Sequence, residues 1–134
     1  MTKPFQTVFT PDAPFGTSPF SQLTIAGGFL FPTAQSPIDP KTNAKIGADV
    51  GEQTRVAIEN LSTILQAAGH GLESVFKTTV YLTTLTNLPE MNAVYGTMFT
   101  EPYPSRTVLV VAQLPFDALV YIEAIALCSS AQPE

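Results

Sequence analysis

Charge is the scarcest resource in this chain. Charged residues make up 13% of its 134 residues, with eleven acidic and six basic side chains and a net charge of −5; an average soluble domain carries about 25%. No cluster of Lys or Arg is available to neutralise phosphates, which argues against a nucleic-acid-binding role. The same shortage removes the basic amphipathic helix that docks on an anionic membrane. There is one cysteine, Cys128, and one histidine, His70, so an internal disulfide and a multi-cysteine metal site are excluded. The two lie far apart and in unlike contexts, His70 between Gly69 and Gly71 in an expected loop, which is weak ground for a metal or Cys-His site. No apolar run approaches the ~18 residues of a membrane span. The opening stretch MTKPFQTVFTPDAP has no apolar core of a signal peptide, and the first fifty residues have no arginine for an import helix. A cytoplasmic location is the expectation. Glycine-rich phosphate loops and the HExxH and GxSxG motifs are absent from the sequence.

What is present is apolar. Hydrophobic residues reach 45%, and the length suits a single domain over 1–134 with one ordinary core. So much apolar material with so little charge predicts that some surface lies against another subunit. Residues 1–14 read as an extended arm, proline-rich through Pro19, with room for a short edge strand, and 129–134 as a polar tail. Strands are expected at 21–26 and 29–34 around Gly27-Gly28, a tight-turn dipeptide. Pro32 cannot donate to a ladder, so the second strand should lie at an edge or carry a bulge. A loop follows over 35–48.

The clearest helix spans 49–68. Asp49 is a good N-cap, Glu52 completes a capping-box pattern, and Gly69 suits the C′ position. Ala57, Leu61, Ile64, Leu65 and Ala68 form its buried stripe. Residues 75–84 read as a strand, with Val75, Lys77, Thr79, Tyr81 and Thr83 on one face and Phe76, Thr78, Val80 and Leu82 on the other. Lys77 there reads as a snorkelling edge charge. A second helix opens near Pro89 with Met91, Val94, Tyr95, Met98 and Phe99 as its stripe, and Pro102 and Pro104 stop it. Strands at 106–112 and 119–127 close the chain. The order β-β-α-β-α-β-β predicts an α+β domain, one mixed sheet with two helices on one face. The opposite face has no element left to cover it, so oligomerisation is expected.

Against this apolar background, Arg106 and Glu123 stand out, one opening and one inside a greasy strand. Buried charge is costly unless paired. The plain reading is a structural ion pair between them, or two edge charges facing water. The functional reading is a guanidinium that clamps a ligand carboxylate and a carboxylate that handles protons or orients water. Asn92, beside Met91, and Thr33 and Gln35, closing the second strand, have simple structural readings as a solvated helix residue and turn residues. Glu52, Arg55 and Glu59 read as a solvated helix face with local ion pairs.

Several segments, taken together and in order from about 15 to 127, carry a resemblance. They are Pro19-Phe20-Ser21-Gln22, Gln35-Ser36-Pro37-Ile38-Asp39-Pro40, Glu52-Gln53-Thr54-Arg55 with Ala57-Ile58-Glu59-Asn60-Leu61, Ala67-Ala68-Gly69, Val75-Phe76-Lys77-Thr78-Thr79-Val80-Tyr81-Leu82, Met91-Asn92-Ala93-Val94-Tyr95, Pro104-Ser105-Arg106 and Ile122-Glu123-Ala124-Ile125-Ala126. In these the chain resembles the reactive intermediate deaminase family (RidA, also called YjgF-like or L-PSP-like). The resemblance implies a chorismate-mutase-like α+β fold and a homotrimer whose sheets form a central barrel, with ligand clefts between subunits. It also implies hydrolysis of 2-imino acids and their enamine tautomers, such as 2-aminoacrylate, to 2-keto acids and ammonia, with no metal or organic cofactor.

By that resemblance Arg106 takes the carboxylate-binding position, Glu123 the acidic position linked to the attacking water, and Asn92 a helix position bordering the cleft. Thr33 stands for a frequent serine and keeps the hydroxyl. Phe20 replaces a frequent tyrosine, Val108 a frequent cysteine and Ala34 a frequent glycine, which implies a drier pocket suited to larger or more apolar imines. The alternatives are a non-catalytic binder of keto or imino acids using the same cleft, a ribonuclease, which the acidic balance disfavours, and a chaperone-like holdase acting through exposed apolar surface.

Overall fold

Six strands build one mixed sheet in the computed structural model, which describes residues 2–128; the expected tail at 129–134 lies outside the described residues. The strands are β1 (Gln6–Val8), β2 (Leu23–Ala26), β3 (Phe29–Pro32), β4 (Val75–Leu82), β5 (Ser105–Val110) and β6 (Val120–Leu127), in spatial order β1-β2-β3-β6-β4-β5. All neighbours are antiparallel except β4 and β5, whose parallel connection contains the crossover helix that such a pair requires. The short edge strand expected from the N-terminal arm is β1. Gly27 and Gly28 make the β2–β3 turn with φ of 60° and 84°, a left-handed pair that glycine adopts without steric penalty.

Helices α1 (Val50–Ala67) and α2 (Leu88–Met98) cover one face. Leu61, Ile64 and Leu65 of α1 and Met91 of α2 pack over Leu30, Val80, Leu82, Val120 and Ile122 of the sheet, all essentially inaccessible to solvent. The start of α1 differs in detail from a capping box. Asp49 Oδ1 accepts from the Glu52 N–H at 2.9 Å as expected, but the Glu52 carboxylate turns to Arg55, which also bonds Glu59. A second carboxylate comes from α2 instead, with Glu90 Oε2 accepting from the Gly51 N–H at 3.1 Å. An acidic group there suits the partial positive charge of the helix start.

Two expectations need correction. A register shift between Val75 and Lys77 breaks the alternation in β4, so that Val75 joins the buried face and Phe76 the exposed one; a bulge flips every residue before it. Lys77 is not at an edge, because β4 lies between β6 and β5. Of the edge or bulge expected at Pro32, the second holds: strand β3 is internal and Pro32 is its last residue. Pairing with β6 stops at Leu30↔Ala126 and resumes at Gln35↔Ile122 with one extra residue on the β3 side, so the irregularity that proline demands falls where its N–H is missing.

Two further features shape the surface around the sheet. Gln22, 4% exposed, accepts from the Thr10 N–H at 2.7 Å through Oε1. Its Nε2 donates to the carbonyls of Thr10, Ala13 and Pro14, tying the arm to β2. The face away from the helices carries Phe29, Phe31, Phe76, Leu109 and Leu127, each between 37% and 51% exposed. That is the apolar sheet face which the element count leaves uncovered in a single chain.

Candidate functional site

Strand β5 is the outer strand beside β4, and their register sets Arg106 opposite Thr78 and Val108 opposite Val80. Thr78 and Val80 are fully buried beneath the helices, so Arg106 and Val108 project to the helix side of the sheet. At the rim Arg106 is exposed. Its guanidinium carbon sits 4.9 Å from the centroid of the Tyr95 ring, a cation–π contact. Tyr95 is itself fixed. It is 5% exposed, its hydroxyl lies 2.7 Å from Thr78 Oγ1, and its ring stacks at 4.6 Å on Phe99. Burial pushes the Tyr95 phenol above its ordinary pKa, opposed by the Thr78 hydrogen bond and the Arg106 charge. Asn92 lies three positions earlier on α2, exposed and on the same helix face as Tyr95.

Glu123 belongs to the other face. The β4–β6 register pairs it with Thr79, and pairs Tyr81 with Tyr121; all four point away from the helices. Tyr81 donates its hydroxyl proton to Glu123 Oε1 at 3.0 Å. That bond, then desolvation and the carboxylate's charge, raises the Tyr81 pKa. Burial, then Glu123, raises that of Tyr121. These groups line a cleft of about 360 Å³ with Thr33, Ala34 and Leu114. Thr33 and Ala34 follow β3 and are held there by the Thr33 N–H to Gln22 O bond of 2.8 Å and the Gln35 N–H to Ile122 O bond of 2.8 Å.

Thr33, Ala34 and Tyr121 are shared with an adjoining groove of about 470 Å³ that contains Phe20, Gln35 and Phe116. Gln35 is 2% exposed. Its Nε2 donates to the carbonyls of Thr33 and Ala34, while Oε1 is buried with no hydrogen-bond partner among the described residues. A buried unsatisfied acceptor calls for an explanation at a site.

The structure therefore sorts the expected residues into two groups. Arg106, Val108 and Asn92 lie on the helix side of the sheet, Arg106 against the Tyr95 ring. Phe20, Thr33 and Glu123 gather around Tyr121 on the other face. The structural ion pair between Arg106 and Glu123 does not form, because register places them on opposite sides of one sheet. Sequence reasoning did not assign Tyr81, Tyr95 or Phe116 to the site. Tyr81 had a usable signal, since alternation already set it apart from the buried Val80 and Leu82. His70 lies elsewhere, 9% exposed with Nδ1 2.9 Å from Ala68 O. Among the described residues no group of three or more His, Cys, Asp or Glu is placed to hold a metal ion, and no helix is long and apolar enough to cross a membrane.

Comparison with known proteins gives this arrangement its context. A family model described as Endoribonuclease L-PSP matches residues 10–128. A RutC family protein of Pyrococcus horikoshii is 46% identical over 121 residues, covering 90% of this chain and 96% of the relative. A 2-iminobutanoate/2-iminopropanoate deaminase of Salmonella typhimurium is 38% identical over 124 residues, covering 90% and 96%. Among solved structures, RidA from a Psychrobacter species superposes with a TM-score of 0.86 at 34% identity, covering 91% of this chain and 98% of that one. Escherichia coli TdcF with bound serine superposes with a TM-score of 0.84 at 37% identity, covering 91% and 98%. With its helix-covered mixed sheet and a match that runs from the arm to the end of β6, the chain belongs to the RidA/YjgF/L-PSP family.

Proposed function

We propose that the protein is a cofactor-independent deaminase of 2-imino acids and their enamine tautomers, and that its active site forms between two copies of the chain. One observation carries this reading: the cation suited to a carboxylate and the carboxylate suited to a water stand on opposite faces of the same sheet. One chain cannot bring them to one small ligand, whereas a rim from one copy against the open face of another can. The exposed apolar residues of that open face supply a reason for copies to associate, and a homotrimer is the assembly this reading expects. Relatives named 2-iminobutanoate/2-iminopropanoate deaminase at 38% and 36% identity support the chemistry. The serine in the TdcF structure supports a site that accepts a small carboxylate-bearing molecule.

The roles are those the resemblance implies, and the geometry supports them as follows. Arg106, steadied on the Tyr95 ring, binds the substrate carboxylate through its planar fork. Asn92 and Val108 flank it, the one polar and the other apolar. An iminium carbon is already electrophilic, so catalysis needs orientation more than activation. Glu123, with Oε1 engaged by Tyr81, offers its second oxygen to a water that attacks this carbon. Thr33 and Phe20 border the same space.

A second reading, a non-catalytic binder of keto or imino acids, is favoured by Phe20 and Val108, which offer no phenol or thiol at those two positions. The acidic balance and the absence of a basic cluster in the sequence weigh against RNA as the substrate. The test is ammonia and pyruvate release from 2-aminoacrylate generated in situ. The wild type should exceed the spontaneous rate, and Arg106→Ala should lose at least ~100-fold in kcat/KM. Equal rates for the two would remove Arg106 from the mechanism. A keto-acid-induced rise in Tm without any turnover would establish the binder instead.

A further inference from the structure

Next to the Glu123 cleft, on the far side of Thr33 and Tyr121, the groove of about 470 Å³ is walled by Phe15, Phe20, Ile38, Phe116 and Tyr121. Phe116 has φ 62° and ψ 19°, and Asp117 follows with φ 54°. A bulky side chain in the left-handed region is a true outlier, and such outliers concentrate at ligand clamps. The conformation is pinned from both sides. Lys45 Nζ donates to Asp117 O at 3.1 Å, the Asp117 and Ala118 N–H groups close onto Leu114 O and Pro115 O, and the Leu119 N–H reaches buried Gln53 Oε1 at 2.7 Å. The turn thus holds the Phe116 ring, 51% exposed, as a wall of the groove rather than letting it fold onto the core. Glycine would adopt this backbone more easily, yet phenylalanine occupies it.

We propose that this groove is the side-chain subsite of the active site, and that it selects 2-imino acids with large apolar or aromatic side chains over those with a methyl or ethyl group. The inference rests on the deaminase reading and on the continuity of the two cavities through Thr33, Ala34 and Tyr121. The reacting carbon lies by Glu123, the carboxylate goes to Arg106 of the adjoining copy, and the side chain runs past Thr33 into the aromatic groove. Aromatic walls accept a ring edge-on or offset, and apolar pockets discriminate by about tenfold or more per methylene. The reaction on this substrate is R–CH2–C(=NH2⁺)–COO⁻ + H2O → R–CH2–C(=O)–COO⁻ + NH4⁺. The water oxygen bonds to the imine carbon, the C–N bond breaks with its electron pair on nitrogen, and the water protons leave on the ammonium.

The test compares the imino acids that an amino acid oxidase generates in situ from alanine, leucine and phenylalanine, with keto-acid formation above the uncatalysed rate as readout. Phe116→Gly is the chosen variant, since it removes the ring while suiting the left-handed backbone, and its Tm reports whether it folds. In parallel, pyruvate and phenylpyruvate binding is followed by thermal shift with both proteins. The expected result is a kcat/KM for the phenylalanine-derived imine at least ~10-fold above that for the alanine-derived one, with that ratio falling about tenfold in Phe116→Gly. Turnover that favours the methyl substrate, or a ratio unchanged in Phe116→Gly, would overturn the subsite and leave the deaminase reading intact. Absence of turnover with a phenylpyruvate preference that Phe116→Gly abolishes would overturn the deaminase reading and support the groove. Absence of both turnover and preference would overturn both.

Discussion

The Arg106 rim and the Glu123 face are built on different principles. At the rim, a charged group rests on a buried ring, and that ring is bonded through Thr78 to the middle of the sheet. On the open face, the carboxylate is held by Tyr81, a neighbour on the adjacent strand that is only partly covered. Orientation of the guanidinium is thus underwritten by the core, and orientation of the carboxylate by its own surface. Changes behind the cation should therefore cost stability and function together, whereas changes around the acid should alter function with little effect on folding.

The largest expected effect tests the separation itself. Arg106→Ala and Glu123→Gln proteins should each be nearly inactive. Dissociated, mixed in equal amounts and reassembled, they should recover about a quarter of wild-type activity, because a heterologous contact lets one chain supply the arginine and the next the glutamate. Mixed assemblies that stay inactive would mean that both groups act from one chain, or that one does not act at all.

An intermediate effect is expected at Tyr95. Tyr95→Phe leaves the buried Thr78 hydroxyl without its partner, a loss of about 1–2 kcal/mol, with a raised KM as the arginine's platform loosens. The same residue predicts an alkaline limit. A phenol whose folded-state pKa is raised favours the neutral form in the fold. Its contribution is complete below about pH 10 and is lost as the pH climbs through the folded-state value, since the unfolded chain ionises first. Tyr95→Phe should flatten part of the fall in Tm above pH 10; an identical slope would assign the alkaline transition to other groups.

The smallest effect on folding is expected at Tyr81. Tyr81→Phe should change unfolding free energy by no more than about 0.5 kcal/mol, as a partly exposed position does. It should still lower kcat about 3- to 10-fold by freeing the carboxylate to rotate. A drop in Tm comparable to that of Tyr95→Phe would erase the contrast between the two regions.

Much of this molecule is legible in residue order, and the remainder is not for a definite reason. Asp49 and Gly69 bracket α1 because capping chemistry is local, and Gly27-Gly28 marks its turn for the same cause. Alternation within β6 is enough to separate exposed Glu123 from buried Ile122 and Ala124. What alternation cannot give is which face of one strand meets which face of another. The Thr78↔Arg106 and Thr79↔Glu123 registers depend on chain segments brought together from afar. A bulge at Val75/Lys77 alone is enough to exchange two residues between core and solvent. The left-handed Phe116 stays hidden because nothing in Pro115-Phe116-Asp117 advertises such a backbone. Its shape is enforced by Lys45 and Gln53, distant in sequence.

Gln22 has a consequence that reaches past folding. Its amide alone bridges β2 to the carbonyls of Thr10, Ala13 and Pro14, immediately ahead of Phe15 in the groove wall. A residue outside the groove's lining thereby fixes the position of Pro14 and Phe15 in its wall. Substituting Gln22 would therefore release the N-terminal flank and reshape the groove with every residue that lines it unchanged.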